Sequence, residues 1–314
     1  MSFSNPPAAG VRVHWDELPD HVRAAIEERM GGRVVEAVTQ PGGFSPGLAA
    51  RLRLGDGRRV FVKAVSEDAN PDTPGIHRRE ADVVAGLPPE AAAPKLLWIY
   101  DENGWVALGL TDIDGHTPAQ PWRSHELDLV IEGLLRLQEV LTPSPLESAA
   151  AADAFATEIK GWSELQSTHA TGLDAWSMKN LDRLVDLEAS TPSMLSGRTL
   201  LNFDVRADNI LIAGDKAYFV DWPWARVGPA FIEWVGLAPS VHMQGGPKPD
   251  ELLRRVPLGG IRDEAVTAVL ASLTGYFLGH SRRPPPPGIP TVRAFQAAQG
   301  EVALAWLHER LGWD

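Results

Sequence analysis

The stretch Leu200-Leu-Asn-Phe-Asp-Val-Arg-Ala-Asp-Asn-Ile-Leu-Ile212 sets polar side chains into an apolar frame, and Tyr218-Phe-Val-Asp-Trp222 adds one more carboxylate. Asp204, Arg206 and Asn209 fall at spacings of two and five, and Asp221 comes twelve residues after Asn209. These residue types suit phosphoryl transfer. One carboxylate takes or orients the acceptor proton, a second carboxylate and an amide oxygen hold Mg2+, and a cation offsets charge on the moving group. Asp208 reads as structural, holding the loop or pairing with Arg206. The Gly214-Asp215 turn joins two short apolar runs, 209–212 and 217–220, which with 200–203 make a small β patch.

Helical periodicity surrounds that patch. Apolar residues recur at helical spacing over 125–141, 154–165 and 179–187 before it, and over 230–238, 263–279 and 292–311 after it. Nearer the N-terminus the pattern changes. A helix over 19–30 ends at Gly31-Gly32, and strands follow at 34–39, 48–54 and 59–65, the last two joined by an Asp56-Gly57 turn. A helix near 76–86 separates these from strands at 96–100 and 105–110. In the third strand Phe61, Lys63 and Val65 share one face and Val60, Val62 and Ala64 the other. The expected fold class is α+β and two-lobed, with a small β-rich lobe over 1–110 and a larger helical lobe over 111–314.

With these motifs in place, the chain resembles the aminoglycoside phosphotransferase and choline kinase branch of the protein-kinase-like fold, over about residues 34–239. The resemblance implies that Asp204 is the catalytic base or orienting group. It implies that Arg206 contacts the γ-phosphate and that Asn209 and Asp221 bind Mg2+. Upstream, Pro41-Gly-Gly-Phe-Ser-Pro-Gly47 lies between two strands, where Gly43, Phe44 and Ser45 would cradle the phosphates of ATP or GTP. Lys63 takes the place of the third-strand lysine and Glu80 that of its acidic partner. Residues 108–112 fall at the interlobe connection, so the Leu110 backbone would meet the adenine or guanine base. The sequence departs from the family at Asn202, where a histidine is usual.

Composition narrows the alternatives. The chain has 314 residues, 29 basic against 41 acidic side chains, and a formal charge of −12. Residues 1–110 carry 12 basic and 15 acidic side chains, and residues 111–314 carry 17 and 26. That balance argues against nucleic-acid or anionic-membrane partners and is compatible with a small-molecule substrate that is cationic, or with solubility alone. With no cysteine, thiolate metal sites and cysteine nucleophiles are excluded. No His-x-x-x-His pair points to a histidine metal site. The first ten residues lack a signal-peptide pattern, and the expected setting is cytoplasmic, as a monomer or homodimer. Glu233, Asp250, Glu251, Asp263 and Glu264 are expected on a solvated face. Most tryptophans are expected in the core, with one or two free to line a cleft.

The leading reading is Mg2+-dependent transfer of the γ-phosphate of ATP or GTP to a hydroxyl of an aminoglycoside or related antibiotic. A choline, amino-alcohol or other metabolite kinase is the alternative within the same class. A non-catalytic nucleotide-binding protein, suggested by Asn202, is the alternative outside it. A protein kinase fits poorly, because Val227-Gly-Pro and a helix follow Asp221 without room for a long activation loop.

Overall fold

The small lobe is assembled from hairpins, in a computed structural model that describes residues 4–258 and 260–314. Helix α1 (Asp20–Met30) ends where Gly31 takes a left-handed φ of 68°. Strands β1 (Val34–Thr39), β2 (Leu48–Leu54) and β3 (Arg59–Ser66) follow. Helix α2 (Thr73–Gly86) then crosses to β4 (Leu96–Glu102) and β5 (Trp105–Thr111). The five strands pair antiparallel in the order β1-β2-β3-β5-β4.

Strand alternation decides what each sheet face meets. Leu48, Ala50, Leu52, Val62 and Ala107 bury against Val22 and Ile26 of α1. Each such leucine, valine or isoleucine contributes roughly 1.5–3 kcal/mol when fully buried. On the opposite face Val106, Leu108 and Leu110 join Ala81 and Val84 of α2 and the core of the helical lobe. That second face therefore looks into the cleft between the lobes. Gly47 is required at the start of β2, with φ of 92° and a Cβ position only 2.4 Å from the Ala64 carbonyl oxygen.

The helical lobe runs through α3 (Ser124–Val140), α4 (Ala151–Thr157), α5 (Trp162–Ser167), α6 (Ala175–Lys179) and α7 (Leu181–Ser190). Short strands β6 (Thr199–Leu201), β7 (Ile210–Ala213), β8 (Lys216–Phe219) and β9 (Arg226–Gly228) come next. Helices α8 (Phe231–Met243), α9 (Pro249–Leu253), α10 (Asp263–Ser281) and α11 (Val292–Leu311) complete it. β7 and β8 form a hairpin, and β6 pairs with β9, a strand that the sequence pattern does not signal.

Three expected helices differ. The one over 154–165 breaks between α4 and α5, because Gly161 lies against α10, where a Cβ would sit 1.8 Å from the Gly275 carbonyl oxygen. The buried Glu188 carboxylate then caps α5, accepting from the backbone N–H groups of Gly161 (2.7 Å), Trp162 (3.0 Å) and Ser163 (3.0 Å). The helix over 179–187 starts anew after Asn180. The helix over 230–238 continues through Pro239 to Met243, where its packed setting outweighs proline's local preference.

Candidate active site

Two short loops and one strand bring the chemistry together. The loop after β6 leaves the strand at Asn202, turns through Phe203 at a left-handed φ of 69°, and makes one helical turn at Ala207–Asn209. Asp221, just past β8, is also left-handed, with φ of 64°. Non-glycine residues rarely adopt this conformation, and when held there they concentrate at functional sites. The hairpin sets the second loop beside the first: Ile210 pairs with Phe219, and the Val220 N–H donates to the Asn209 carbonyl at 2.9 Å. Asn209 and Asp221 therefore lie at one end of the same hairpin.

From the other lobe, β3 presents Lys63. Its Nζ donates to both Glu80 oxygens, at 2.8 and 2.7 Å, and to Asp221 Oδ1 at 2.8 Å. Glu80 is fully buried on α2. Burial works against the ammonium charge, but the Asp221 and Glu80 carboxylates more than offset it and hold Lys63 above its usual range. Burial raises the Asp221 carboxyl less than Lys63 lowers it, so Asp221 stays ionised.

Asp204 pairs with Arg206 Nη1 and accepts from Asn209 Nδ2 at 3.1 Å. Burial pushes its carboxyl up to about 7, against the pull of Arg206. Arg206, expected to meet a γ-phosphate, is occupied by carboxylates of its own loop, with Nε and Nη2 reaching Asp208 at 3.1 and 3.0 Å. Asp208 is thus its partner. Asn209 donates through Nδ2 in both of its side-chain bonds, to the Asp204 carbonyl and carboxylate. Its amide oxygen and the second oxygen of Asp221 are a donor set that suits Mg2+, which takes few protein oxygens and completes its shell with phosphate and water.

Asn202 uses both ends of its amide. Nδ2 donates to the carbonyls of Asp221 (3.1 Å) and Val220 (3.4 Å), and Oδ1 accepts from the Asp204 N–H at 3.1 Å. One side chain ties the two loops together. Glu233, expected on a solvated face, is buried on α8 and receives the N–H groups of Asn202 (2.6 Å) and Phe203 (3.2 Å). Burial raises its carboxyl to about 7.

The glycine loop is held from below. The Gly43 N–H donates to the Ala8 carbonyl and the Gly47 N–H to the Val11 carbonyl, both at 3.1 Å. Arg12 donates to the Gln40 carbonyl at 3.0 Å, to Ser45 Oγ at 3.2 Å, and to the Gly42 and Ser45 carbonyls. Phe44 crosses to the helical lobe and meets Phe295 edge-on, 5.1 Å between centroids. Leu110 is buried within β5, opposite Phe61 and Leu96, so the strand continues through Thr111 and the connection starts at Asp112. There Arg51 donates to the carbonyls of Ile113 (3.0 Å) and Gly115 (2.8 Å).

Arg12, Arg51, Glu233 and His77 lie outside what spacing can reveal. His77 stands one turn before Glu80 on α2, buried, with neither ring nitrogen hydrogen-bonded among the described residues. Burial, with Lys63 nearby, drives its pKa down to about 3, so it is neutral. All these groups border a cavity of about 970 Å3 or the loops beside it. Phe44, Ser45, His77, Asp204, Arg206 and Asp221 are among the residues that line it. Trp222 and Trp234 are buried in the core, while Trp224 lines the cavity.

The five-stranded sheet over a helical lobe, with a cleft between them, is a two-lobed protein-kinase-like fold. Solved structures bear this out. The chain is similar to an aminoglycoside phosphotransferase, APH(4)-Ia, solved with ADP and hygromycin B, at a TM-score of 0.63 and 15% identity, covering 91% of this chain and 98% of that one. It is also similar to a choline/ethanolamine kinase family protein from Mesorhizobium loti (TM-score 0.60, 16% identity, 92% and 94% covered). A putative fructosamine-3-kinase from Thermobifida fusca gives a TM-score of 0.59 at 16% identity, with 92% and 100% covered. No protein-family model and no curated protein matches the sequence. At these identities the likeness establishes the fold.

Proposed function

We propose that this protein is a small-molecule phosphotransferase that moves the γ-phosphoryl group of ATP or GTP to an acceptor hydroxyl. The observation that carries the reading is Lys63 bridging Glu80 and Asp221, with Asp204 and Asn209 on the adjoining loop. Lys63 would orient the nucleotide phosphates. Asn209 and Asp221 would hold Mg2+, which neutralises charge on the phosphates when bound. Asp204, with its carboxyl near 7, is matched to accept a proton at neutral pH. The acceptor oxygen bonds to the γ-phosphorus, the bond to the β-phosphate oxygen breaks, the hydroxyl proton passes to Asp204, and a nucleoside diphosphate leaves. Arg206, held between Asp204 and Asp208, keeps the base in place.

The non-catalytic alternative loses its motive, since Asn202 makes the local bonds that tie the two loops. A coupled ADP- and GDP-release screen over antibiotics, amino-alcohols, sugars and hydroxy acids tests the reading. Acceptor-dependent release that requires Mg2+ supports it. Tight nucleotide–Mg2+ binding with no acceptor turned over across the panel favours the non-catalytic protein.

A further inference from the structure

At the acceptor end of the cavity, cations without an ion pair outnumber carboxylates free of hydrogen bonds and ion pairs among the described residues. Its carboxylates are already paired: Glu158 with Arg226 at 3.3 Å, and Glu164 with Arg283. Glu233 is spent on backbone N–H groups. Asp72, exposed at the start of α2 on the opposite rim, makes no ion pair among the described residues. Two cations at this end have no ion pair among the described residues. Arg293, at the start of α11, has no carboxylate partner among the described residues and donates to the Pro284 carbonyl (3.1 Å) and Gln296 Oε1 (2.8 Å). Lys160, between α4 and α5, lines the same wall without an ion pair among the described residues.

Aromatic surfaces sit beside these cations. Tyr276 and His280 on α10 stack with centroids 4.0 Å apart. His280 Nδ1 lies 3.0 Å from the Tyr276 carbonyl, and Arg283 donates to His280 Nε2 at 3.0 Å, so a neutral imidazole steadies the guanidinium. Phe155, Trp224 and Phe277 complete an apolar wall. A polycation entering here would meet Arg293 and Lys160, and beyond Asp72 on the opposite rim it would have to break existing ion pairs to find a carboxylate.

We propose that the acceptor is an anionic hydroxyl compound, bearing a carboxylate or phosphate beside an apolar or aryl body, its charge held by Arg293 and Lys160 and its hydroxyl directed to Asp204. This rests on the phosphotransferase reading for what happens to the hydroxyl, as balanced above, but not for binding. Arginine suits the role because its planar fork pairs bidentately with carboxylate or phosphate oxygens. The acidity of the helical lobe, which favours a cationic acceptor when read from composition, lies on its solvated faces and in existing pairs.

The test uses Trp224 as a fluorescent reporter in the full-length protein, titrated with 4-hydroxyphenylacetate, tyramine, glycerol 3-phosphate and hygromycin B. The first two share one hydroxyaryl body and differ in the sign of their charge. The anionic member of that pair should bind at least about tenfold more tightly than tyramine, and Arg293→Gln with Lys160→Gln should abolish the difference. Affinity for a non-hydrolysable ATP analogue, measured alongside, should stay within about twofold. Glycerol 3-phosphate binding without 4-hydroxyphenylacetate binding would support the same pocket with phosphate as the anion. Tighter binding of tyramine or hygromycin B, no binding by either anion, or unchanged preference in a folded double variant would overturn the proposal. Loss of nucleotide affinity in the double variant would also overturn it, by assigning these cations to nucleotide phosphates. Because the readout is binding, an anion preference can stand even if no phosphoryl transfer is detected, and transfer to a cation alone would sink this inference while sparing the kinase reading.

Discussion

Lys63 and Asp221 are separated by 158 positions in the chain, yet Nζ and Oδ1 meet at 2.8 Å, and the same ammonium grips both oxygens of Glu80. One strand, one helix and one loop from two lobes converge on a single buried charge. Such a cation cannot be removed without consequence for its partners, because Glu80 has no access to water.

Lys63→Met should therefore lower both turnover and stability. Loss of the phosphate-orienting charge should reduce transfer by about 10²–10³-fold. Leaving Glu80 without its partner should cost about 3–5 kcal/mol in chemical denaturation. Lys63→Met with Glu80→Gln should recover part of the stability and none of the turnover. Near-full transfer by a folded Lys63→Met protein would refute the assignment of this lysine.

Asp204→Asn keeps the side chain's shape but cannot take a proton. Transfer to an identified acceptor should fall by about 10²–10⁴-fold. Nucleotide affinity should hold, because Lys63, Asn209 and Asp221 are untouched. Equal activity in the variant would mean that another group receives the proton.

Asn202→Asp is the sharpest test of the residue that departs from the family. It removes the bonds that Nδ2 donates to the Val220 and Asp221 carbonyls and sets a carboxylate against them. Leaving those groups without a donor should cost about 1–3 kcal/mol, with a drop in turnover as the two loops separate. Unchanged melting temperature and turnover would show that the Asn202 bridge does no structural work.

Glu233 provides the pH prediction. Burial raises its carboxyl from the usual 4.5 to about 7, so the folded state keeps a proton that the unfolded chain has released. Its contribution to stability is complete below about pH 4.5 and is lost as pH rises through about 7. Thermal melts from pH 5 to 8 should show wild type losing more stability across that window than Glu233→Gln, whose amide oxygen still accepts from Asn202 and Phe203. Parallel curves would place the titration elsewhere.

Much of this molecule was legible in its sequence because the signals are local. Strand alternation, the Asp56-Gly57 and Gly214-Asp215 turns, and helical periodicity describe backbone preferences over a few residues. They gave the order of the small-lobe elements and its strands to within a residue or two. Asp204, Arg206, Asp208 and Asn209 share one turn, so their spacing alone brings them together, and the Arg206–Asp208 pair follows from it.

What only the tertiary structure decided are the contacts chosen by packing between distant segments. The break at Gly161 depends on how close α10 comes, and nothing in residues 154–165 records that. Glu233 looks like any other helical acid until α8 packs beneath the Asn202 loop and removes it from water. The N-terminal segment reaches the glycine loop through Arg12 and backbone bonds that carry no residue pattern. Charge follows the same rule. Composition gives the sum, −12, but the fold pairs Glu158 and Glu164 with arginines and leaves Arg293 without a carboxylate partner among the described residues, so the charge a ligand meets there is set by neighbours in space rather than in sequence.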